Sequence, residues 1–239
     1  ERFRFAVIDG PSPPADTLAD VRAVRQQFDT KYAAIYHPWL QITEPFPDNL
    51  ADIQEFAIPP AGHICGVYAR TDVQRGVHKA PANEAVVGAT DLEFPVTTAM
   101  QDVLNPQGVN CLRDFPGRGI RVWGARTLSS DPEWKYVNVR RLFLFLEESI
   151  DKGTEWAVFE PNDQKLWEGL KRTVSSFLRG LWRDGALFGQ TPADAFYVKC
   201  DDETNPSEMI DAGWWTDAGQ FDSLRRATNL VAETGANND

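Results

Sequence analysis

The stretch FPGRGIRVWGARTLSS, residues 115–130, sets Arg118, Arg121 and Arg126 among Gly117, Gly119 and Gly124, residue types that a phosphate cradle uses. The spacing is G-x-G-x-x-x-x-G, which fits neither the dinucleotide fingerprint nor a P-loop. The segment after the first two glycines reads as a strand, where a cradle needs a helix N-terminus to present its amides. The chemistry left to these residues is structural: glycines that accept positive backbone angles in a turn, and arginines that demand partners where they are covered. Read as a strand, Ile120 to Thr127 puts Arg121 and Trp123 on one face and Ile120, Val122 and Arg126 on the other. Neither face is cleanly polar, so both are expected to be covered, with Arg118, Arg121 and Arg126 as candidate structural ion-pair arginines.

Other catalytic constellations are weaker. Ser129, Ser130, Ser175 and Ser176 lie outside a G-x-S-x-G setting, and none of His37, His63 and His78 stands where it marks a general base. His63 and Cys65 would share a strand face but diverge on a helix, the expected element there, and no motif calls for a metal or a cofactor. Cys65, Cys111 and Cys200 form no C-x-x-C unit and read as reduced, mostly buried thiols. Glu147, Glu148, Glu160 and Asp163 are most simply surface and helix-end charges. A carbohydrate hydrolase built on Glu160 and Asp163, with tryptophan platforms, stays an alternative because paired carboxylates need not be neighbours in sequence. The remaining charged constellation is a strip of cations, Lys165, Lys171, Arg172, Arg179 and Arg183, at helical spacing. It is either a solvated face or an interaction face for an acidic partner protein, other copies of this chain included.

Those residues need elements to position them. RFRFAVID alternates as a strand and ends in the loop GPSPP; Leu18, Val21, Val24 and Phe28 then recur at helical spacing after an Asp16 or Thr17 start, and YAAIYHPWLQI reads as one buried strand. Residues 43–61 read as a proline-rich loop with one short strand, followed by a helix carrying Ile64, Val67 and Tyr68 and stopping at Gly76. The β-rich subregion 85–118 contains AVVGATDLEFPVT, a short helix near TAMQDVLNPQG, and VNCLRDF, whose turn PGRG leads into the strand GIRVWGART. A helix ending at Gly153, a strand TEWAVFEP, a long helix with Leu166, Leu170, Val174, Leu178 and Leu181 inward and Gly185 as stop, and a strand DAFYVKC complete the order. The pattern predicts a mixed α/β (α+β) fold, a mixed β-sheet flanked by helices, with a core domain over 1–213 and a divergent polar tail over 214–239.

The whole chain narrows the partners. Its 239 residues carry 35 acidic against 24 basic side chains, a formal charge of −11 that argues against nucleic acid or an anionic membrane as a general partner. No apolar run reaches membrane-spanning length and the start has no signal-peptide pattern, so a chain made in the cytoplasm is expected. Eight tryptophans supply core filling or interface anchors.

The runs GVYARTDVQRGVHKAPANE at 66–84, LNPQGVNCLRDFPGRGIRVWGARTLSSDPEWKYVNVRRL at 104–142, FEPND at 159–163 and WRDGALFGQTPADAFYVKCD at 182–201 resemble the contractile phage tail sheath family. That family includes the sheaths of pyocin-like particles and extracellular contractile injection systems. The match spans most of residues 3–213, in order. The resemblance implies a structural protein without an active site, which polymerises helically around an inner tube and contracts to drive the tube through a target envelope. Expected partners are other copies of itself, the inner tube protein, and the baseplate and tail terminator proteins; the expected location is a phage tail or injection particle. In this family terminal arms add strands to a neighbour's sheet, and the resemblance begins without the preceding arm and outer domains and ends in a divergent tail after MIDAG. A non-contracting, sheath-related cap or connector is the alternative that this tail motivates.

Overall fold

The structure, a computed structural model, describes residues 3–13, 17–44 and 54–205. The Asp16 alternative for the first helix start, much of the proline-rich loop and the tail 214–239 lie outside the described residues. Two compact units divide between Phe145 and Leu146.

The first unit is built on a four-stranded sheet in the order β1 (Ala6–Asp9), β2 (Ala33–His37), β6 (Val109–Phe115), β7 (Gly119–Trp123). β1, β2 and β6 run parallel and β7 returns antiparallel, with Leu112 opposite Val122 and Arg113 opposite Arg121. All five residues of β2 are buried, as a parallel strand covered on both faces must be. Alternate side chains feed two cores. Ala34 and Tyr36 join Leu112, Ile120 and Val122 beneath α2 (Ala61–Arg75), which contributes Ile64, Val67 and Tyr68. Ala33 and Ile35 join Val109 and Cys111 beneath α1 (Leu18–Arg25) and α3 (Thr98–Leu104), which contribute Val21 and Leu104.

Local chemistry sets the helix ends. Thr17 and Asp20 close a capping box on α1, two amide donors satisfied reciprocally. Pro60 precedes α2 without a side-chain cap, and Asp9 at the end of β1 accepts the Ala61 N–H instead at 2.8 Å. Burial pushes the Asp9 carboxyl up against the lowering effect of that same bond. The helix α4 (Val137–Thr154) carries Arg141 near its start, and the guanidinium grips both oxygens of Asp72 on α2 at 2.9 and 2.6 Å while lying 4.6 Å from the Tyr68 ring centre.

Several expectations need correction. YAAIYHPWLQI is two strands: β2 ends at His37, Pro38 interrupts, and β3 (Leu40–Thr43) joins a separate antiparallel sheet between β4 (Glu55–Ile58) and β5 (Asp91–Leu92). Proline offers no N–H to continue a ladder. AVVGATDLEFPVT yields only the two residues of β5, and the strand after the PGRG turn stops at Trp123. TEWAVFEP is no strand. Thr154 hydrogen-bonds back to the Ile150 carbonyl at 2.7 Å, and Glu155–Ala157 continues as a 3-10 turn in the second unit. In DAFYVKC a capping box between Thr191 and Asp194 draws the first residues into the single turn α6 (Pro192–Ala195), and 196–200 runs on without a ladder partner among the described residues.

Candidate functional site

Two groups of side chains stand out beyond the core: the cations of the second unit's long helix, and the arginines of the hairpin. The helix α5 spans Gln164–Arg183, capped by Asp163, which accepts the Leu166 N–H at 2.8 Å, and is followed by Gly185 at φ 78°. Leu166, Leu170, Val174, Leu178 and Leu181 are half-buried, and no residue of α5 is fully buried. Lys165, Arg172, Arg179 and Arg183 are exposed. At 3.6 residues per turn, spacings of seven, seven and four put these four on one stripe opposite the leucines. Lys171 departs from it: half-buried on the flank, it acts on Cys200 and Asp201. Burial raises the Asp201 carboxyl, but bonds from Thr204 and the cations Lys199 and Lys171 outweigh it and leave the group lowered. Asp163 is thus a helix cap, and Glu160 is exposed.

The hairpin arginines turn inward on their own chain. Arg118 Nη2 donates to the Asn83 side-chain oxygen at 2.9 Å, and Arg121 Nη1 donates to the Asn83 carbonyl at 2.7 Å. Asn83 sits at φ 59°, a conformation asparagine tolerates better than most residues. Its N–H donates to the Val122 carbonyl at 2.7 Å, and Val86 donates to Ile120 at 2.9 Å, so the 83–86 segment lies along the outer edge of β7. Among the described residues neither Arg118 nor Arg121 reaches a carboxylate within ion-pair distance. Gly117 and Gly119 take φ 73° and 68° in the turn between β6 and β7, so the glycines serve the hairpin.

Arg126 is held by its backbone. The buried Asn110 accepts the Arg126 N–H at 2.7 Å and donates to the Arg126 carbonyl at 2.8 Å and the Ile35 carbonyl at 3.1 Å. A side-chain amide here acts as one more rung of the sheet. Gly124 allows this close approach, since a Cβ there would lie 2.8 Å from Asn110 Oδ1. Opposite, Arg25 donates to the carbonyls of Gln107, Phe28 and Leu128 at 2.6, 2.5 and 3.0 Å, tying α1 to two distant loops. Asp29 accepts the Ser130 hydroxyl at 2.7 Å and its N–H at 2.9 Å, which holds the Asp29 carboxyl below its ordinary range. Ser130 therefore bonds a carboxylate where a triad needs a histidine.

Among the described residues, no three His, Cys, Asp or Glu side chains gather as a metal set, and no helix is long and apolar enough to cross a membrane. His37 is buried near Phe94, Cys65 is exposed on α2 and Cys111 is buried in β6. Sequence reasoning missed Asn83, Asn110 and Arg25. Their most distant side-chain-mediated partners lie 38, 75 and 103 residues away, beyond any local spacing.

The phage tail sheath protein central domain matches residues 1–128, and the phage tail sheath C-terminal domain matches 129–213. The tail sheath protein of Burkholderia phage BcepMu is 32% identical over 168 residues, 65% of this chain and 33% of that protein. Among solved structures, the sheath complex of the extracellular contractile injection system PVC in its contracted state superposes with a TM-score of 0.77 at 39% identity, over 87% of this chain and 57% of that one. The baseplate of the anti-feeding prophage contains a chain matching with a TM-score of 0.74 at 35% identity, over 87% of this chain and 53% of that one. The chain spans a third to about half the length of the curated tail sheath proteins that lead these matches in identity or coverage.

Proposed function

As this chain belongs to the phage tail sheath family, we propose that it is a structural subunit of a contractile sheath, which polymerises helically around an inner tube and contracts to drive that tube through a target envelope. Residues 1–213 form the sheath core on this reading, with 214–239 a separate tail. The subunit works by exchanging interfaces and carries out no chemical turnover. Its partners are further copies of itself, the inner tube protein, and the baseplate and tail terminator proteins at the ends of the array, within a phage tail or injection particle.

The observation that carries the reading is the stripe Lys165, Arg172, Arg179 and Arg183, exposed along a helix of a chain whose net charge is −11. A positive strip in an acidic protein is a docking face for an acidic surface, and an array repeats it in register with its partner. Lys171 stands apart on the flank, where it faces Asp201. Arg118 and Arg121 serve by keeping the hairpin rigid while interfaces are exchanged around it.

Electron microscopy of the purified chain, with and without its tube protein, tests this. Rings or helical tubes are the expected products, and Arg172→Glu with Arg179→Glu is expected to abolish tubes while leaving the far-ultraviolet spectrum unchanged. A chain that stays monomeric at every concentration and with every tube protein overturns the reading.

A further inference from the structure

One cleft in the first unit is used by neither the fold nor the α5 stripe. It has a volume of about 230 Å³, below the roughly 300–1,000 Å³ of pockets that hold drug-sized ligands. A side chain fits it better than a cofactor does. Three cations line it, Arg25, Arg126 and Lys135, together with the hydroxyl-bearing loop around Ser129.

Its walls are fixed. Asn110 clamps the Arg126 backbone on both sides, and Thr127 N–H donates to the Lys135 carbonyl at 2.9 Å, so the two cations rise from one braced ladder. Across the cleft, Gly108 takes φ 86° with its α-carbon close against the Thr127 carbonyl, where a Cβ would meet the oxygen at 2.8 Å.

The charges inside are unequal in their freedom. Arg25 is spent on three carbonyls and faces Asp29. Asp131, the one carboxylate of the lining, accepts the Glu133 N–H at 2.9 Å at the start of a 3-10 turn. Arg126 and Lys135 are half-buried, and among the described residues neither takes a carboxylate within ion-pair distance. Partly desolvated cations without counter-ions are unfavourable until one arrives.

We infer that this cleft is a socket for a carboxylate side chain presented by a second copy of this chain. Each copy carries 35 acidic side chains against 24 basic ones, so packing copies together brings like charges into contact unless cations are placed to receive them. Arg126 supplies a planar fork and Lys135 a point charge, a pairing suited to one carboxylate. The inference rests on the polymerising reading above and assigns one of its interfaces.

The test compares the wild-type chain with Arg126→Gln/Lys135→Gln and with a control of equal charge change, Arg22→Gln/Arg75→Gln, at exposed positions. Circular dichroism checks folding, and both variants keep the Arg126 backbone bonds to Asn110. Sedimentation gives the critical concentration for self-association, expected to rise about tenfold in the cleft variant and less than about twofold in the control. Equal behaviour of the wild type and the cleft variant overturns the inference, and so does an equal rise in both variants. Calorimetry with triglutamate peptide and with inorganic phosphate forms the second arm. Peptide binding that is lost in the cleft variant is expected; absent peptide binding, or phosphate binding tenfold tighter than peptide, overturns the socket. If the wild type never associates, the sheath reading fails, and the peptide arm alone decides the cleft.

Discussion

Asn110→Ala removes three hydrogen bonds from a fully buried site, and its cost depends on the groups they leave behind. The Arg126 N–H and C=O point away from the 135–137 segment, because Thr127 N–H donates to Lys135 and Val137 N–H donates to Ala125. Asn110 is their partner in the fold. An orphaned buried group costs about 1–3 kcal/mol, so two together predict a loss of about 3 kcal/mol. For a chain of this size that lowers Tm by roughly 6–12 °C. Urea unfolding followed by tryptophan fluorescence, which has Trp123 on the adjacent strand as a reporter, measures it. Gly124→Ala sharpens the test, since its Cβ would meet Asn110 Oδ1 at 2.8 Å. Overpacking of this kind costs about 1–3 kcal/mol, and part of that cost should vanish in the Asn110→Ala background. A loss below about 1 kcal/mol for Asn110→Ala, with strictly additive effects of the two changes, refutes the amide-rung account.

Three further outcomes rest on groups of the first unit. Burial pushes His37 down to about 4, while the unfolded chain titrates near ~6.5; stability is therefore full above that value and declines as pH falls towards 4, by on the order of 3 kcal/mol. His37→Leu should flatten this decline in urea midpoints taken between pH 7.5 and 4.5, and an unchanged slope would falsify the assignment. Cys65 is exposed, whereas burial pushes the Cys111 thiol up to about 12, so iodoacetamide should modify Cys65 in native protein and Cys111 only with denaturant, as peptide mass spectrometry reads directly. Arg25→Leu strands the Gln107 and Phe28 carbonyls, while Leu128 keeps the Thr30 N–H, and should cost roughly 2–4 kcal/mol by urea unfolding, with hydrogen exchange rising at residues 105–108 and 127–130 ahead of the sheet.

Much of this architecture is legible in the sequence because its causes are local. The Thr17 capping box, the PGRG turn with two glycines at positive φ, and the α5 register each rest on residues within a turn of one another. The stripe of Lys165, Arg172, Arg179 and Arg183 is visible for the same reason, while Lys171, one position off it on the flank, has its surroundings set by the later loop at Asp201. Segments rich in aromatic and β-branched residues mislead. A strand needs a partner edge, and TEWAVFEP instead places Trp156 3.0 Å from where a Cβ on Gly169 would stand, packed on α5. The hairpin arginines show the other limit. Their need for partners can be read from their covering, but their sharing of Asn83 depends on the chain path that brings residue 83 beside β7.

The long helix of the second unit has thermal consequences. Twenty residues carry a full leucine face, yet none of them is fully withdrawn from water within the chain. Apolar surface left hydrated keeps a large heat capacity, which falls when that surface is covered. On the polymerising reading proposed above, any contact between copies that covers this leucine face should register as a negative change in heat capacity, with the heat released growing with temperature. On that reading the energy of association is partly a property of water along this helix, and so depends on temperature.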